Sequence, residues 1–113
     1  MHELSIAMGI VKIAEEETKK ASASAVSKIE LTIGALSGVE LEALNFVWSA
    51  AVKDTVLEGA ELTIDHIQGK AKCMDCDSCF DVENIYDNCP KCGSYLKVIT
   101  QGKELKVKAL EVD

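Results

Sequence analysis

Five cysteines fall between positions 73 and 92, in the runs Cys73-Met-Asp-Cys76-Asp-Ser-Cys79 and Cys89-Pro-Lys-Cys92-Gly93. Two Cys-x-x-Cys pairs separated by 12 residues are the pattern of a four-thiolate zinc site, because each pair makes a tight turn that aims two sulfurs at one point. Thiolates are soft ligands that suit zinc, and a site filled by four of them keeps no open position for catalysis. An odd number of cysteines confined to one short stretch is not a secreted disulfide framework. Cys76 and Cys79 form an overlapping pair, so two registers compete. The residue after such a pair often adopts positive φ, which Gly93 and Asp77 tolerate and Phe80 does not. The expected ligands are therefore Cys73, Cys76, Cys89 and Cys92, with sets that use Cys79 as the alternative and Cys79 itself as a partly buried free thiol.

The N-terminal Met1-His2-Glu3 holds the second chemistry. A bulky second residue leaves the initiator methionine in place. The α-amine, the His2 amide nitrogen and His2 Nδ1 then wrap one ion in fused five- and six-membered chelate rings. The Glu3 amide or another donor completes a square-planar nitrogen set, a geometry that suits Ni(II) or Cu(II) and not zinc. The bland reading of so short a segment is an exposed histidine before a helix. His66 is the other histidine; it ends a strand-like stretch and reads as structural or solvent-facing, with an auxiliary metal ligand as the lesser alternative.

Composition limits what these groups can serve. The chain has 113 residues, 12 lysines and no arginine, against 19 Asp and Glu, for a net charge of −7. Between Cys73 and Cys92 stand Asp75, Asp77, Asp81, Glu83 and Asp87, with Lys91 as the one cation. Phosphate would be repelled, which argues against nucleic acid and against anionic membrane surfaces. The longest apolar run, residues 46–52, is too short to span a bilayer. The N-terminus lacks a basic secretory start, and a soluble cytoplasmic protein is expected. No nucleophile–base set or phosphate loop is visible, so no enzyme is expected. A zinc-ribbon interaction module for nucleic acid or transcription machinery, or a small cysteine-based redox protein using Cys76 and Cys79, are the competing functions.

The elements that must position these groups follow from periodicity. Residues 4–20 read as a helix with a narrow polar stripe of Ser5, Gly9, Lys12 and Glu16 and apolar residues elsewhere. Lys28 to Ile33 alternates as a strand with Ile29, Leu31 and Ile33 facing inward. Ser37 and Glu40 form a candidate capping box for a second helix, whose inward face is Leu41, Leu44, Val47, Trp48 and Ala51. Glu61 to Asp65 is a second strand. Residues 95–100 and 104–112 look like a hairpin around Gln101-Gly102, with a bulge near Ala109. The expected fold class is α+β: two helices on a small mixed sheet in two layers, built from residues 1–70 and 95–113, with a zinc-ribbon-like four-cysteine module inserted at 71–94.

Several segments together resemble the HypA/HybF family of nickel-incorporation proteins. They are Met1-His-Glu-Leu-Ser-Ile-Ala7, Ile33-Gly-Ala-Leu-Ser-Gly-Val39-Glu, Glu58-Gly-Ala-Glu-Leu62, the two cysteine pairs with Gly93-Ser94, and Gly102-Lys-Glu-Leu-Lys-Val107. They run in order along the whole chain. The resemblance implies a metallochaperone that binds Ni(II) through Met1 and His2 with Glu3 nearby, and a structural zinc on the four matching cysteines. It implies delivery of nickel to the large-subunit precursor of a [NiFe] hydrogenase, in concert with the GTPase HypB. Asp77 stands where the family pattern has glycine, and Cys79 is an additional thiol.

Overall fold

The computed structural model describes residues 3–113, so Met1 and His2 lie outside the described residues. The fold is α+β. Its elements in chain order are α1 (Glu3–Lys20), β1 (Val26–Gly34), α2 (Leu41–Val52), β2 (Glu61–Ile67), β3 (Gly69–Cys73), β4 (Cys79–Val82), β5 (Lys97–Gln101) and β6 (Leu105–Val112). The strands form two three-stranded sheets, one ordered β2-β1-β6 and the other β4-β3-β5. Among the described residues no helix is long and apolar enough to cross a membrane.

The chain divides into two compact units. The first comprises Met1–Leu31, Val39–Ile64 and Val107–Asp113; the second comprises Thr32–Gly38 and Asp65–Lys106. The second unit takes in β3, β4 and β5 whole, a wider span than the 71–94 of the expected insertion.

In the first unit α1 packs on α2. The buried residues of α1 are Ala7, Ile10, Ala14 and Thr18, spaced to lie along one side of the helix. Two alanines on that stripe permit close approach, and the buried Thr18 hydroxyl donates to the Ala14 carbonyl at 2.6 Å. The buried stripe is narrower than the apolar face expected from the sequence, since Leu4, Met8 and Ile13 are exposed. Helix α1 stops in a Schellman arrangement: the Ala23 N–H reaches the Thr18 carbonyl, the Ser22 N–H reaches Lys19, and Ser22 takes φ 54°. From β1 the side chains of Val26, Ile29 and Leu31 are buried, and from α2 those of Leu44, Trp48 and Val52. The capping expectation needs correction. The N-cap of α2 is Glu40, which makes no side-chain cap bond. Its backbone N–H instead donates to the Glu3 carboxylate at 3.2 Å, a partner 37 positions away.

In the second unit β3 is the central strand and pairs antiparallel with both neighbours. Ala71 lies opposite Phe80 on one side and Ile99 on the other. The expected 95–112 hairpin is thus not formed, because β5 and β6 belong to different sheets. The turn residue Gly102, at φ 114°, redirects the chain without closing a hairpin. A Cβ on Gly102 would lie 2.7 Å from the Gly69 Cα, and a Cβ on Gly34 would collide with the Gly102 carbonyl oxygen. The Gly34 N–H donates to the Glu104 carbonyl and the Leu36 N–H to that of Gly102, both at 2.7 Å. Three chain segments therefore cross backbone against backbone at Gly34, Gly69 and Gly102.

Candidate metal centre

The two Cys-x-x-Cys turns have the same backbone wiring. In the first, the Cys73 N–H donates to the Ser78 carbonyl at 2.8 Å and the Asp77 N–H to that of Cys73 at 3.0 Å. In the second, the Cys89 N–H donates to Ser94 and the Gly93 N–H to Cys89, both at 2.8 Å. Asp77 and Gly93 follow the second cysteine of each turn and sit at φ 62° and 77°. Both are in the left-handed region, where aspartate is tolerated and glycine unstrained.

These turns bring Cys73, Cys76, Cys89 and Cys92 together, with all four sulfurs within 4.8 Å of one another. The Cys73–Cys92 and Cys76–Cys89 sulfurs lie 3.5 and 3.6 Å apart, and all five cysteines are free thiols. A tetrahedral zinc with bonds of about 2.3 Å has sulfur–sulfur edges of about 3.8 Å. The donor set and its spacing therefore fit zinc, which these four residues would hold as a closed structural ion. Cys73 and Cys89 are buried while Cys76 and Cys92 are exposed. Cys79 does not join the group; it is an exposed residue of β4 opposite Lys72, not the partly buried thiol expected.

Protons are shared unequally among the clustered thiols. Hydrogen bonds from the Ser78 side chain and then its backbone lower Cys76 to about 6. The Ser94 backbone N–H favours the Cys92 thiolate, but Cys73, burial and the other two sulfurs outweigh it and push Cys92 up to about 12. A divalent ion reverses this crowding, since a coordinated thiol is deprotonated outright.

Neighbours that the spacing of the cysteines does not reveal hold the turns. The Lys91 N–H donates to the Cys89 sulfur at 3.4 Å. The Ser94 hydroxyl donates to the Asp75 carboxylate, joining one turn to the other, and accepts the Leu96 N–H at 3.1 Å. The flanking loop is tied by Asp87, whose carboxylate accepts N–H groups from Glu83 at 2.9 Å and Asn84 at 3.1 Å. Those bonds, Asn84's foremost, hold Asp87 below its ordinary value. The signal for these residues is position alone: each lies within a few places of a cysteine.

Of the candidate nickel residues, Met1 and His2 lie outside the described residues, and Glu3 opens α1 with its carboxylate on the Glu40 N–H. His66 is exposed on β2. Among the described residues the four cysteines are the one cluster of metal-ligating groups found.

Comparison with known proteins agrees with this geometry. The profile of the family described as "Hydrogenase/urease nickel incorporation, metallochaperone, hypA" matches residues 1–112. The hydrogenase maturation factor HypA of Parabacteroides distasonis is 45% identical over 112 residues, covering 99% of this chain and 97% of that protein. That of Azotobacter chroococcum is 43% identical over the full length of both. The solution structure of the Ni metallochaperone HypA from Helicobacter pylori superposes with a TM-score of 0.69 at 28% identity, covering 99% of this chain and 97% of that one. The chain belongs to the HypA family, the nickel-incorporation metallochaperones of hydrogenase maturation, which bind nickel and structural zinc.

Proposed function

We propose that this protein binds Ni(II) at its own N-terminus and hands it to the large-subunit precursor of a [NiFe] hydrogenase, working with the GTPase HypB in the cytoplasm. The observation that carries this reading is the closed character of the cysteine cluster. Four thiolates around one ion leave no position open for a receiving ligand, so a cargo metal needs a different and more open site. The chain has two histidines, and His66 stands on an exposed strand outside any cluster found among the described residues. That leaves the α-amine of Met1, His2 and Glu3. An amine, deprotonated amide nitrogens and an imidazole make a square-planar nitrogen set that suits Ni(II) or Cu(II) and not zinc. Cys73, Cys76, Cys89 and Cys92 hold the structural zinc. The protein is a carrier and not an enzyme, and its acidity sets it against nucleic acid and anionic lipid.

The test is Ni(II) titration of the zinc-loaded protein, followed by the visible d–d band of square-planar nickel. His2→Ala should abolish stoichiometric binding with the fold intact. Extension by Gly-Ser ahead of Met1 keeps both side chains but converts the primary amine into a peptide nitrogen, and should remove most of the affinity. An unaltered band and affinity in the extended protein would eliminate the amine as a ligand. Transfer of bound nickel to the precursor, measured with and without HypB, tests delivery.

A further inference from the structure

We infer that Asp75 and Ser94 form a latch between the two cysteine turns that sets how slowly the structural metal leaves. Asp75 lies between the cysteines of the first turn, and Ser94 lies two residues beyond Cys92 in the second. The Ser94 hydroxyl has one proton; because its oxygen already accepts the Leu96 N–H at 3.1 Å, that proton is directed to the Asp75 carboxylate. Beside the latch the Met74 N–H donates to the Leu96 carbonyl at 2.9 Å, so side chain and backbone bridge the same gap. Apart from the sulfur–sulfur contacts of the ligands themselves, the side-chain bonds of Asn88 to the Gly93 carbonyl at 3.4 Å and of the Lys91 N–H to the Cys89 sulfur at 3.4 Å stay within the second turn.

A four-coordinate ion departs in steps, and the first step detaches one or two sulfurs. Without the latch, the metal and the backbone pairing beside it join the turns, and the tips that carry the outer sulfurs move apart more readily once a sulfur detaches. With the side-chain tie added at the tips, the detached sulfur stays close to the ion at high effective concentration and rebinds. Groups outside the ligand set that orient it commonly change metal retention by 10- to 100-fold. The latch is exposed to water, which places it at the low end, about tenfold. Asp75 and Ser94 are positioning residues acting through the cysteines.

The inference rests on the four-cysteine zinc reading proposed above, and one experiment separates the two. The full-length protein is assayed for zinc content and then challenged with excess chelator, with release followed by the colour of the chelator–zinc complex. Labelling by a thiol reagent runs in parallel: exposed Cys79 reacts at once as an internal reference, and the other thiols react as zinc leaves. Asp75→Ala and Ser94→Ala should each release zinc about tenfold faster than wild type. The double variant should be no faster than the faster single, because both remove one interaction. Asp75→Asn keeps an acceptor for the hydroxyl and should restore a rate close to wild type. Asn88→Ala, which breaks a bond inside one turn, should leave the rate unchanged. Zinc bound before the challenge but released at the wild-type rate from both alanine variants would overturn the latch alone. So would rates that multiply in the double variant, failure of Asp75→Asn to restore, or acceleration by Asn88→Ala. Protein purified without zinc would overturn the four-cysteine reading and the latch together.

Discussion

The two units of this protein are stabilised by different means. The first buries large aliphatic and aromatic side chains from long elements: Ile10 of α1, Val26, Ile29 and Leu31 of β1, Leu44, Trp48 and Val52 of α2, and Leu57 of the following turn. The second has short strands, and its fully buried larger side chains are Ile33, Val82, Cys73 and Cys89. Two of those four are candidate metal ligands. Burial of apolar surface suffices where helices supply it, whereas a segment of turns and four- or five-residue strands needs a cross-link. The difference shows why the metal cluster lies where the apolar core is thinnest.

The strongest way to break that comparison is to remove the metal. Structural zinc contributes on the order of 10 kcal/mol in small metal-folded peptides. Chelation should therefore unfold the turns around the cysteines while the helical circular dichroism of α1 and α2 persists. Loss of the helical signal in step with zinc would show a single cooperative core. Next comes the converse perturbation, Leu44→Ala, at a fully buried position of α2. It should destabilise the first unit by about 2–5 kcal/mol in chemical denaturation and leave zinc content unchanged.

A smaller effect sharpens the account of α1. Ser22 takes a left-handed backbone at the helix end, a conformation that is strained for a residue with a Cβ. Ser22→Gly should raise stability by about 1 kcal/mol, read as a shift in denaturation midpoint. The smallest expected effect is in the second unit, at Asp87. Its folded-state pKa is depressed by the N–H groups of Asn84 and Glu83, so its contribution is present above the ordinary carboxyl value of 3.8 and is lost as pH falls through the depressed one. Carboxyl chemical shifts followed through acid should show Asp87 titrating below 3.8. An ordinary midpoint would mean that the 83–87 loop is open in solution.

Much of the first unit is legible in the sequence because its signals are local and repeated. Helical spacing marks α1 and α2, and alternation marks β1, with Ile29 and Leu31 buried as expected, and so is Ile33, which belongs to the second unit. The grouping of Cys73, Cys76, Cys89 and Cys92 is legible for a similar reason, since a tight turn is a local object and positive φ at Asp77 follows from residue type. Long-range choices are not legible. Gln101-Gly102 carries the signal of a chain reversal, but that signal does not say which strand is the partner, and β5 pairs with β3. The strands β3 and β4 are too short for a period to stand out beside the cysteines. Ser37 and Glu40 have capping-box spacing, yet the carboxylate that meets the start of α2 belongs to Glu3. The Asp75–Ser94 bond is invisible for the same reason: two ordinary polar residues meet only because two turns face each other.

The crossing at Gly34, Gly69 and Gly102 bears on any attempt to transplant the metal module into another scaffold. A graft of residues 71–94 would carry every cysteine and yet leave all three glycines behind. At all three even alanine would collide with opposing backbone: the Gly102 carbonyl at Gly34, the Val82 carbonyl at Gly69 and the Gly69 Cα at Gly102. The transplantable piece is thus discontinuous, comprising 32–38 and 65–106, and its glycines must travel with the sulfurs they support.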